Sequence, residues 1–339
     1  IHRIRKLDNR PVIDFSANIN PLGLPEKIKR VLQRNFAAIL HYPDPDATEL
    51  TLKIAQCWKI DRKNILVGNG SVDLLYLIIS TFRPKRVGIP QPTFSEYERA
   101  ARSIKSKIKF SQLKKKDGFK LNESCLDQTD IGFVCNPNNP TGNLLLPNGK
   151  GIEKMPERFL VVDEAFMDFL PDGRDHTLIW KGEKDKKIII LRSFTKIFAL
   201  PGLRGGYLIA HQDTIETLKE CQPPWAMNSL SQQICTIMLN DRGYLKETRK
   251  LIEGEREFLL ERIGNIKGLT AYPSRTNFLL LRIDRENINS STLVERGIRK
   301  GVLIRDCGNF RGLSDRYIRI AVRSHKENLR LIKVLKELL

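Results

Sequence analysis

A short stretch of the chain places an amine beside hydroxyl groups and a guanidinium. Lys196 closely follows Ser193 and Thr195, and Arg204 lies eight residues further on. A lysine amine can bond covalently to an aldehyde, while hydroxyl and guanidinium groups bind phosphate. These residue types suit a cofactor that carries both an aldehyde and a phosphate. Taken alone, a lysine between Thr195 and Ile197 is more often a solvated surface group.

Three apolar runs of the kind that form buried strands lead into polar residues that could do chemistry. The runs cover residues 131–135, 158–162 and 187–192. They are followed, in this order, by Asn139, Asp163 and Lys196. Strand ends are where α/β sheets place their chemistry, so the three residues predict a site at such an edge. A turn or a helix cap would explain one such residue but not three in succession.

Four motifs, taken in order, resemble those of a known enzyme family. They are Asn-Pro-Thr-Gly at 139–142, Asp-Glu-Ala-Phe at 163–166, Ser-Phe-Thr-Lys at 193–196 and Gly-Leu-Arg-Gly-Gly-Tyr at 202–207. The order resembles the fold-type I pyridoxal-phosphate enzymes, in the branch that holds histidinol-phosphate aminotransferases and threonine-phosphate decarboxylases. The resemblance extends over almost the whole chain, and residues 14–23 and 305–324 look closer to the decarboxylases. It implies a pyridoxal 5'-phosphate cofactor and a carboxy-lyase reaction.

The resemblance implies a role toward the cofactor for each of several residues. Lys196 bonds to the cofactor and carries a proton, which requires an amine with a lowered pKa. Asp163 keeps the ring nitrogen protonated, Asn139 donates a hydrogen bond to the ring hydroxyl, and Phe94 stacks on the ring. The residues expected at the phosphate are Gly70, Ser71, Ser193, Thr195, Arg204 and, from a neighbouring subunit, Tyr42. If Tyr42 acts in this way, the active unit is a homodimer with a shared active site.

The implied substrate is a small phosphorylated amino acid. Arg319 matches the arginine that aligns the substrate carboxylate, and Arg305 and Arg323 are further cations that suggest a doubly anionic molecule. For any single arginine, the alternative interpretation is a surface ion pair. Asn20 matches a position near the substrate. The resemblance implies conversion of L-threonine O-3-phosphate to (R)-1-amino-2-propanol O-2-phosphate and carbon dioxide, for the cobalamin linker.

Other functions stay open at this stage. Aminotransferases of this branch commonly have tyrosine where this chain has Phe166, which favours the decarboxylase over a histidinol-phosphate or related aminotransferase. L-serine O-phosphate lacks one methyl group of the threonine compound, and such a difference discriminates by only about 1–3 kcal/mol. A third possibility is a cofactor-binding or nucleic-acid-binding protein without catalysis, which only the charge of the chain encourages.

That charge is a formal net +19 over 339 residues. The lysines are spread along the chain, without the aromatic and basic interleaving that stacks bases, so nucleic-acid binding is not expected. The six cysteines form neither a C-x-x-C pair nor a His/Cys cluster, which predicts reduced thiols and no metal site. No apolar run approaches the roughly 18 residues of a membrane span. Residues 1–6 also lack the apolar core of a signal peptide, so we expect a cytoplasmic protein.

The pattern along the chain predicts an α/β fold of two domains. Seven short apolar runs alternate with amphipathic segments between residues 65 and 210, which indicates a large domain with a mainly parallel, seven-stranded sheet. The remainder reads as a smaller α+β domain. We predict a large cofactor-binding domain over 41–225, a small domain over 1–40 and 255–339, and a bridging helix over 226–254.

Overall fold

The computed structural model describes residues 12–122, 126–151 and 156–339. Within them the strands are β1 (Ile13–Asp14), β2 (Ile65–Gly68), β3 (Arg86–Gln91), β4 (Lys107–Gln112), β5 (Ile131–Cys135), β6 (Phe159–Asp163), β7 (Ile188–Ser193), β8 (Gly206–Ile209), β9 (Leu269–Ala271), β10 (Phe278–Ile283), β11 (Val302–Leu303), β12 (Arg305–Asp306) and β13 (Tyr317–Ala321). Residues 1–11 of the predicted small-domain segment 1–40, and Cys125, lie outside the described residues.

Helices cover much of the remaining chain. They are α1 (Glu26–Arg34), α2 (Thr48–Trp58), α3 (Ser71–Phe82), α4 (Glu96–Ser103), α5 (Gly173–His176), α6 (Ile179–Lys184), α7 (Phe194–Ile197), α8 (Gln212–Cys221), α9 (Ser229–Leu239), α10 (Arg242–Gly264), α11 (Ser290–Arg299) and α12 (His325–Leu338). Among these helices of the described ranges, none has both the length and the apolar character needed to cross a membrane.

The large sheet has seven strands in the order β2-β8-β7-β6-β5-β3-β4. Strand β8 runs antiparallel to both of its neighbours, and the other pairs are parallel. Each of the seven apolar runs predicted from the sequence lies in one of these strands. The prediction of an α/β fold with a mainly parallel sheet is therefore confirmed.

Apolar side chains cover both faces of this sheet. Every residue of β5, β6 and β7 is buried, as expected for parallel strands with helices on both sides. In β7, Ile189 and Leu191 pack in one cluster with residues of α3, while Ile188 and Ile190 belong to the cluster on the opposite face. This double burial fixes the carboxyl ends of the strands, where the predicted site lies.

A second, antiparallel sheet has the order β12-β13-β10-β9. Next to it, β1 pairs in parallel with β11, so Ile13 lies opposite Val302. The backbone N–H of Ala321 also donates to the carbonyl of Phe15 at 2.8 Å. The start of the described chain thus packs against its last third, although the predicted domain limits themselves stay a prediction.

The region predicted as one bridging helix contains two helices. α9 ends at Leu239 and α10 begins at Arg242, and the carboxylate of Asp241 between them accepts a hydrogen bond from the backbone N–H of Tyr244 at 3.1 Å. A side chain that caps the start of a helix in this way favours a new helix over continuation of the old one. Helical periodicity alone did not reveal this break.

A close backbone contact joins β8 to the start of α3. A Cβ atom on Gly206 would lie 2.5 Å from the backbone nitrogen of Ser71 and 2.7 Å from the carbonyl carbon of Gly70. Neither backbone atom can move without shifting the strand or the helix. Only glycine therefore allows these two elements to approach so closely.

We predict that Gly206→Ala lowers the free energy of unfolding by roughly 1–3 kcal/mol, because the added methyl group overpacks a backbone contact. The measurement is urea denaturation. Gly254→Ala is the control, since a Cβ at this exposed position of α10 meets nothing within 4 Å. That control should gain about 0.5–1 kcal/mol from helix propensity. An unchanged urea midpoint for Gly206→Ala would contradict the contact.

Candidate active site

Asp163 is the last residue of β6 and is almost completely buried. Its Oδ2 accepts a hydrogen bond from the hydroxyl of Tyr97 at 2.7 Å, and its Oδ1 accepts one from the backbone N–H of Ala165 at 3.0 Å. Burial raises the pKa of the Asp163 carboxyl, whereas the two hydrogen bonds and the charge of Lys196 act in the opposite direction. A carboxylate held in this way suits a protonated ring nitrogen as its partner.

Lys196 lies in α7, which begins directly after β7. Its Nζ donates to the hydroxyl of Thr195 at 2.6 Å. Burial lowers the pKa of Lys196 to about 8; Asp163 opposes this shift, and the charges of Arg204 and Arg319 add to it. An amine with this pKa is largely neutral at mildly alkaline pH, and the neutral form attacks an aldehyde.

Asn20 holds the backbone of α7 rather than facing an open site. Its side-chain nitrogen donates to the carbonyl of Ile197 and to the hydroxyl of Thr248, both at 2.7 Å. Its backbone N–H also donates to the carbonyl of Lys196 at 3.1 Å. Both amide hydrogens of Asn20 therefore have partners within the protein, and these bonds hold the backbone around Lys196. The predicted place of Asn20 near the substrate stays a prediction.

The residues expected at the phosphate meet at one corner of the large sheet. Ser193 pairs with Gly206 across β7 and β8, and Gly206 contacts the backbone of Gly70 and Ser71. A Cβ on Gly70 would lie 2.7 Å from Nη2 of Arg204. The hydroxyls of Ser193 and Thr195 are 2.8 Å apart.

This corner fits a phosphate group. The first backbone N–H groups of α3 have no partner within the helix, and Gly70, at φ +92, leads into them. Arg204 forms no ion pair within the described residues and donates only to the carbonyl of Pro201, at 3.3 Å. Free backbone donors, hydroxyl groups and a guanidinium without a carboxylate are the donor set that a phosphate requires.

Arg319 is a buried guanidinium on β13, with about 7% of its surface exposed. It donates to the side-chain oxygen of Asn139 and, at 2.8 Å, to the carbonyl of Ser16, while its Nε has no partner. No carboxylate pairs with it in the described parts of the chain, and burial lowers its pKa to about 10. A buried cation with free donor capacity fits an anionic ligand.

Arg305 lies directly opposite Arg319 in the pairing of β12 with β13. It donates to Asn309 at 3.0 Å and lies over the ring of Phe310, 5.3 Å from the ring centre. Like charges at directly opposed positions of a sheet destabilise it. A ligand with negative charge would relieve this repulsion, which supports the predicted role of both arginines.

Arg323, by contrast, is already engaged by the protein. It pairs with Glu327 at 2.8 Å and donates to the carbonyl of Asp14 at 3.0 Å. Glu327 also accepts from Ser324, which caps the start of α12. The structure thus shows the ion pair that was the alternative for Arg323, while its Nε has no partner and its predicted substrate contact stays a prediction.

Two predicted aromatic positions, Phe94 and Phe166, pack against other aromatic rings. Phe94 is half-buried and meets the ring of Tyr97 edge-on, with 5.6 Å between ring centres. Phe166 is buried and packs edge-on against Phe278 at 5.0 Å. The sequence reasoning missed Tyr97 as a site residue. Tyr97 lies in the first turn of α4, three residues after Phe94, and this spacing was a signal that the two rings could meet.

Tyr42 lies on the surface, 80% exposed, and its ring packs against that of Trp225 with 4.5 Å between centres and 30° between planes. Three large apolar side chains just before Tyr42 in the sequence are also exposed. We call these residues, together with Tyr42 and Trp225, the apolar patch; it comprises Phe36, Ile39, Leu40, Tyr42 and Trp225. A monomeric protein rarely exposes so many large apolar groups together, which points to a covering partner.

A large, mainly parallel sheet with a lysine, an aspartate and a corner that fits a phosphate at its carboxyl edge is characteristic of the fold-type I class of enzymes. The chain belongs to the aminotransferase class I and II family, whose model matches residues 10–335. The family predicted from the four motifs is thereby confirmed.

The chain is similar to decarboxylases and aminotransferases of this family. The chain is 36% identical to the threonine-phosphate decarboxylase of Salmonella typhimurium, over 97% of this chain and 91% of the relative. It is 31% identical to the histidinol-phosphate aminotransferase of Methanocaldococcus jannaschii, over 97% and 89%. The solved structure of L-threonine-O-3-phosphate decarboxylase from Porphyromonas gingivalis superposes with a TM-score of 0.86 and 28% identity, covering 96% of this chain and 99% of that one.

Proposed function

We propose that this enzyme decarboxylates L-threonine O-3-phosphate to (R)-1-amino-2-propanol O-2-phosphate, with pyridoxal 5'-phosphate as cofactor. The observation that carries the proposal is the pair of opposed guanidinium groups of Arg305 and Arg319, neither of which has a carboxylate partner in the described ranges. Two such cations match a substrate with two anionic groups. The similarity to threonine-phosphate decarboxylases supports the same substrate. The product would serve the cobalamin linker, as the resemblance implies.

The residues present suit the cofactor. Lys196 would bond to it, Asp163 would face its ring nitrogen, and Asn139 and Phe94 would meet its ring hydroxyl and ring face. The corner formed by Gly70, Ser71, Ser193, Thr195 and Arg204 would hold its phosphate. When bound, the cofactor supplies a conjugated system that accepts the electron pair of the broken bond.

The chain itself selects and orients the substrate. Arg319 and Arg305 hold the two anionic groups, so the substrate cannot rotate freely about its central carbon. By fixing the orientation of the substrate, these two arginines would select which bond at its central carbon breaks. The Nζ of Lys196, whose pKa of about 8 lets it gain and lose a proton readily, returns the proton that replaces the carboxylate.

The second candidate is a histidinol-phosphate aminotransferase, and the identity to such enzymes favours it. Phe166 favours the decarboxylase, because its ring packs against Phe278 and carries no hydroxyl that could donate to the cofactor. An L-serine O-phosphate decarboxylase differs only in the space for one methyl group. Membership of an enzyme family argues against a binding protein without catalysis.

The deciding experiment incubates the purified protein, loaded with the cofactor, with L-threonine O-phosphate and no 2-oxo acid. We expect sustained release of carbon dioxide, and a loss of roughly 10²–10⁴-fold in Lys196→Ala, because the proton carrier is removed. Lys187→Ala is the matched control, since this lysine is exposed just before β7. Turnover of histidinol phosphate with 2-oxoglutarate, without carbon dioxide release, would establish the second candidate instead. L-serine O-phosphate is tested in parallel.

We further propose a homodimer in which Tyr42 reaches the phosphate of the neighbouring subunit. The exposed apolar patch supports this, because a second copy would cover it and would bring Tyr42 to the partner's site. The cysteines of the described residues are free thiols, which agrees with a cytoplasmic location.

Shared sites predict complementation between two inactive subunits. Lys196→Ala and Tyr42→Ala chains, each defective alone, should recover about a quarter of wild-type activity when mixed at random, because mixed dimers carry one intact site. Carbon dioxide release measures the recovery. A double variant that carries both changes, mixed with Lys196→Ala, should recover none. If neither mixture recovers carbon dioxide release, a role of Tyr42 across the interface is contradicted.

A further inference from the structure

We propose that Tyr97 is a positioning residue that keeps Asp163 ionised and directed at the ring nitrogen of the cofactor. This inference rests on the proposed cofactor but not on the choice of substrate. Tyr97 was not among the residues that the sequence motifs indicated. It touches none of the groups expected to react, and it acts through Asp163.

The geometry fixes the Tyr97 hydroxyl in place. It donates to Oδ2 of Asp163 at 2.7 Å, and both side chains are buried. The ring of Tyr97 stacks on Phe133 with 5.1 Å between centres and an angle of 4° between planes. Phe94 meets it edge-on from another side. Packing on two sides holds the phenol oxygen within hydrogen-bond distance of the carboxylate.

The two hydrogen bonds that Asp163 accepts leave acceptor positions free for a further partner. An ionised carboxylate has about four acceptor positions. Tyr97 and the backbone N–H of Ala165 occupy two of them. A ring nitrogen that carries a proton can take a third, so the observed bonds prepare the carboxylate for the cofactor without filling it.

Several charged or titratable groups face Asp163 from the neighbouring elements. Tyr97 lies on α4, Cys135 on β5, Arg192 on β7 and Lys196 on α7. Burial, together with the charge of Asp163, raises the pKa of Tyr97 well above its usual value, so Tyr97 remains a donor at all ordinary pH values. The Cys135 thiol is also kept neutral, because burial raises its pKa. Tyr97 is thus the side-chain donor that offsets the burial of Asp163.

Removal of the Tyr97 hydroxyl has a defined direction of effect. Without this donor the pKa of Asp163 rises further, because burial is then opposed by fewer groups. A protonated Asp163 no longer stabilises a positive charge on the ring nitrogen. The loss of that positive charge makes a proton on the cofactor-bound nitrogen of Lys196 less unfavourable, so the pKa of that nitrogen rises.

The test compares Tyr97→Phe with Tyr76→Phe. Tyr76 donates to another carboxylate, that of Glu96, at 3.2 Å, and is the matched control. The visible absorbance of the bound cofactor is titrated against pH. We expect the midpoint of Tyr97→Phe to rise by about one pH unit, the tenfold change typical of losing a hydrogen bond to a charged group. The kcat should fall about tenfold with little change in KM, and the control should match wild type.

A Tyr97→Phe protein with an unchanged midpoint and unchanged kcat would overturn the inference, even if its thermal stability were lower. If that variant does not fold, fluorotyrosine incorporated at position 97 serves instead. Its hydroxyl is a stronger donor of nearly the same size, so the midpoint must fall, and a rise would overturn the inference. Wild-type protein that binds no cofactor would refute the proposed function itself, which is a distinguishable result.

Discussion

The burial of one carboxylate, Asp163, is the constraint on which the active site depends. An isolated charge is costly to bury, so the fold must supply partners for it. Tyr97 and the N–H of Ala165 supply part of the compensation, and Lys196 supplies an opposing charge nearby. Together with Asp163 itself, these groups come from four elements, α4, β6, the loop after β6 and α7. The parallel strands hold those elements at one edge, which explains why the chemistry lies there.

Two buried arginines of this protein differ in whether a carboxylate pairs with them. Arg192 is fully buried but pairs with Glu164 at 2.8 Å and with Asp168, so its charge is compensated within the fold. Arg319 is also buried, yet it has only neutral partners and an unpaired Nε. A buried charge without an opposite charge is strongly destabilising unless a ligand provides that charge. The contrast is the physical basis for assigning Arg319 to an anionic substrate.

Much of the fold and part of the site could be predicted from the sequence. The buried strands are continuous apolar runs, so their number and the residues at their ends were readable. The partner of a polar side chain was harder to predict, because Asn20 bonds to residues that lie 177 and 228 positions away. Arg323 is different, since the Ser324-x-x-Glu327 capping box is a local pattern and its ion pair with Glu327 spans one helical turn.

The most direct test of this account is to identify the residue that bonds to the cofactor. The protein is loaded with pyridoxal 5'-phosphate, reduced with borohydride, digested and mapped by mass spectrometry. The account predicts one reduced cofactor per subunit, attached to Lys196, because this half-buried amine feels the charge of Asp163 and has a pKa of about 8. Attachment to a different lysine, or no attachment at all, would contradict it.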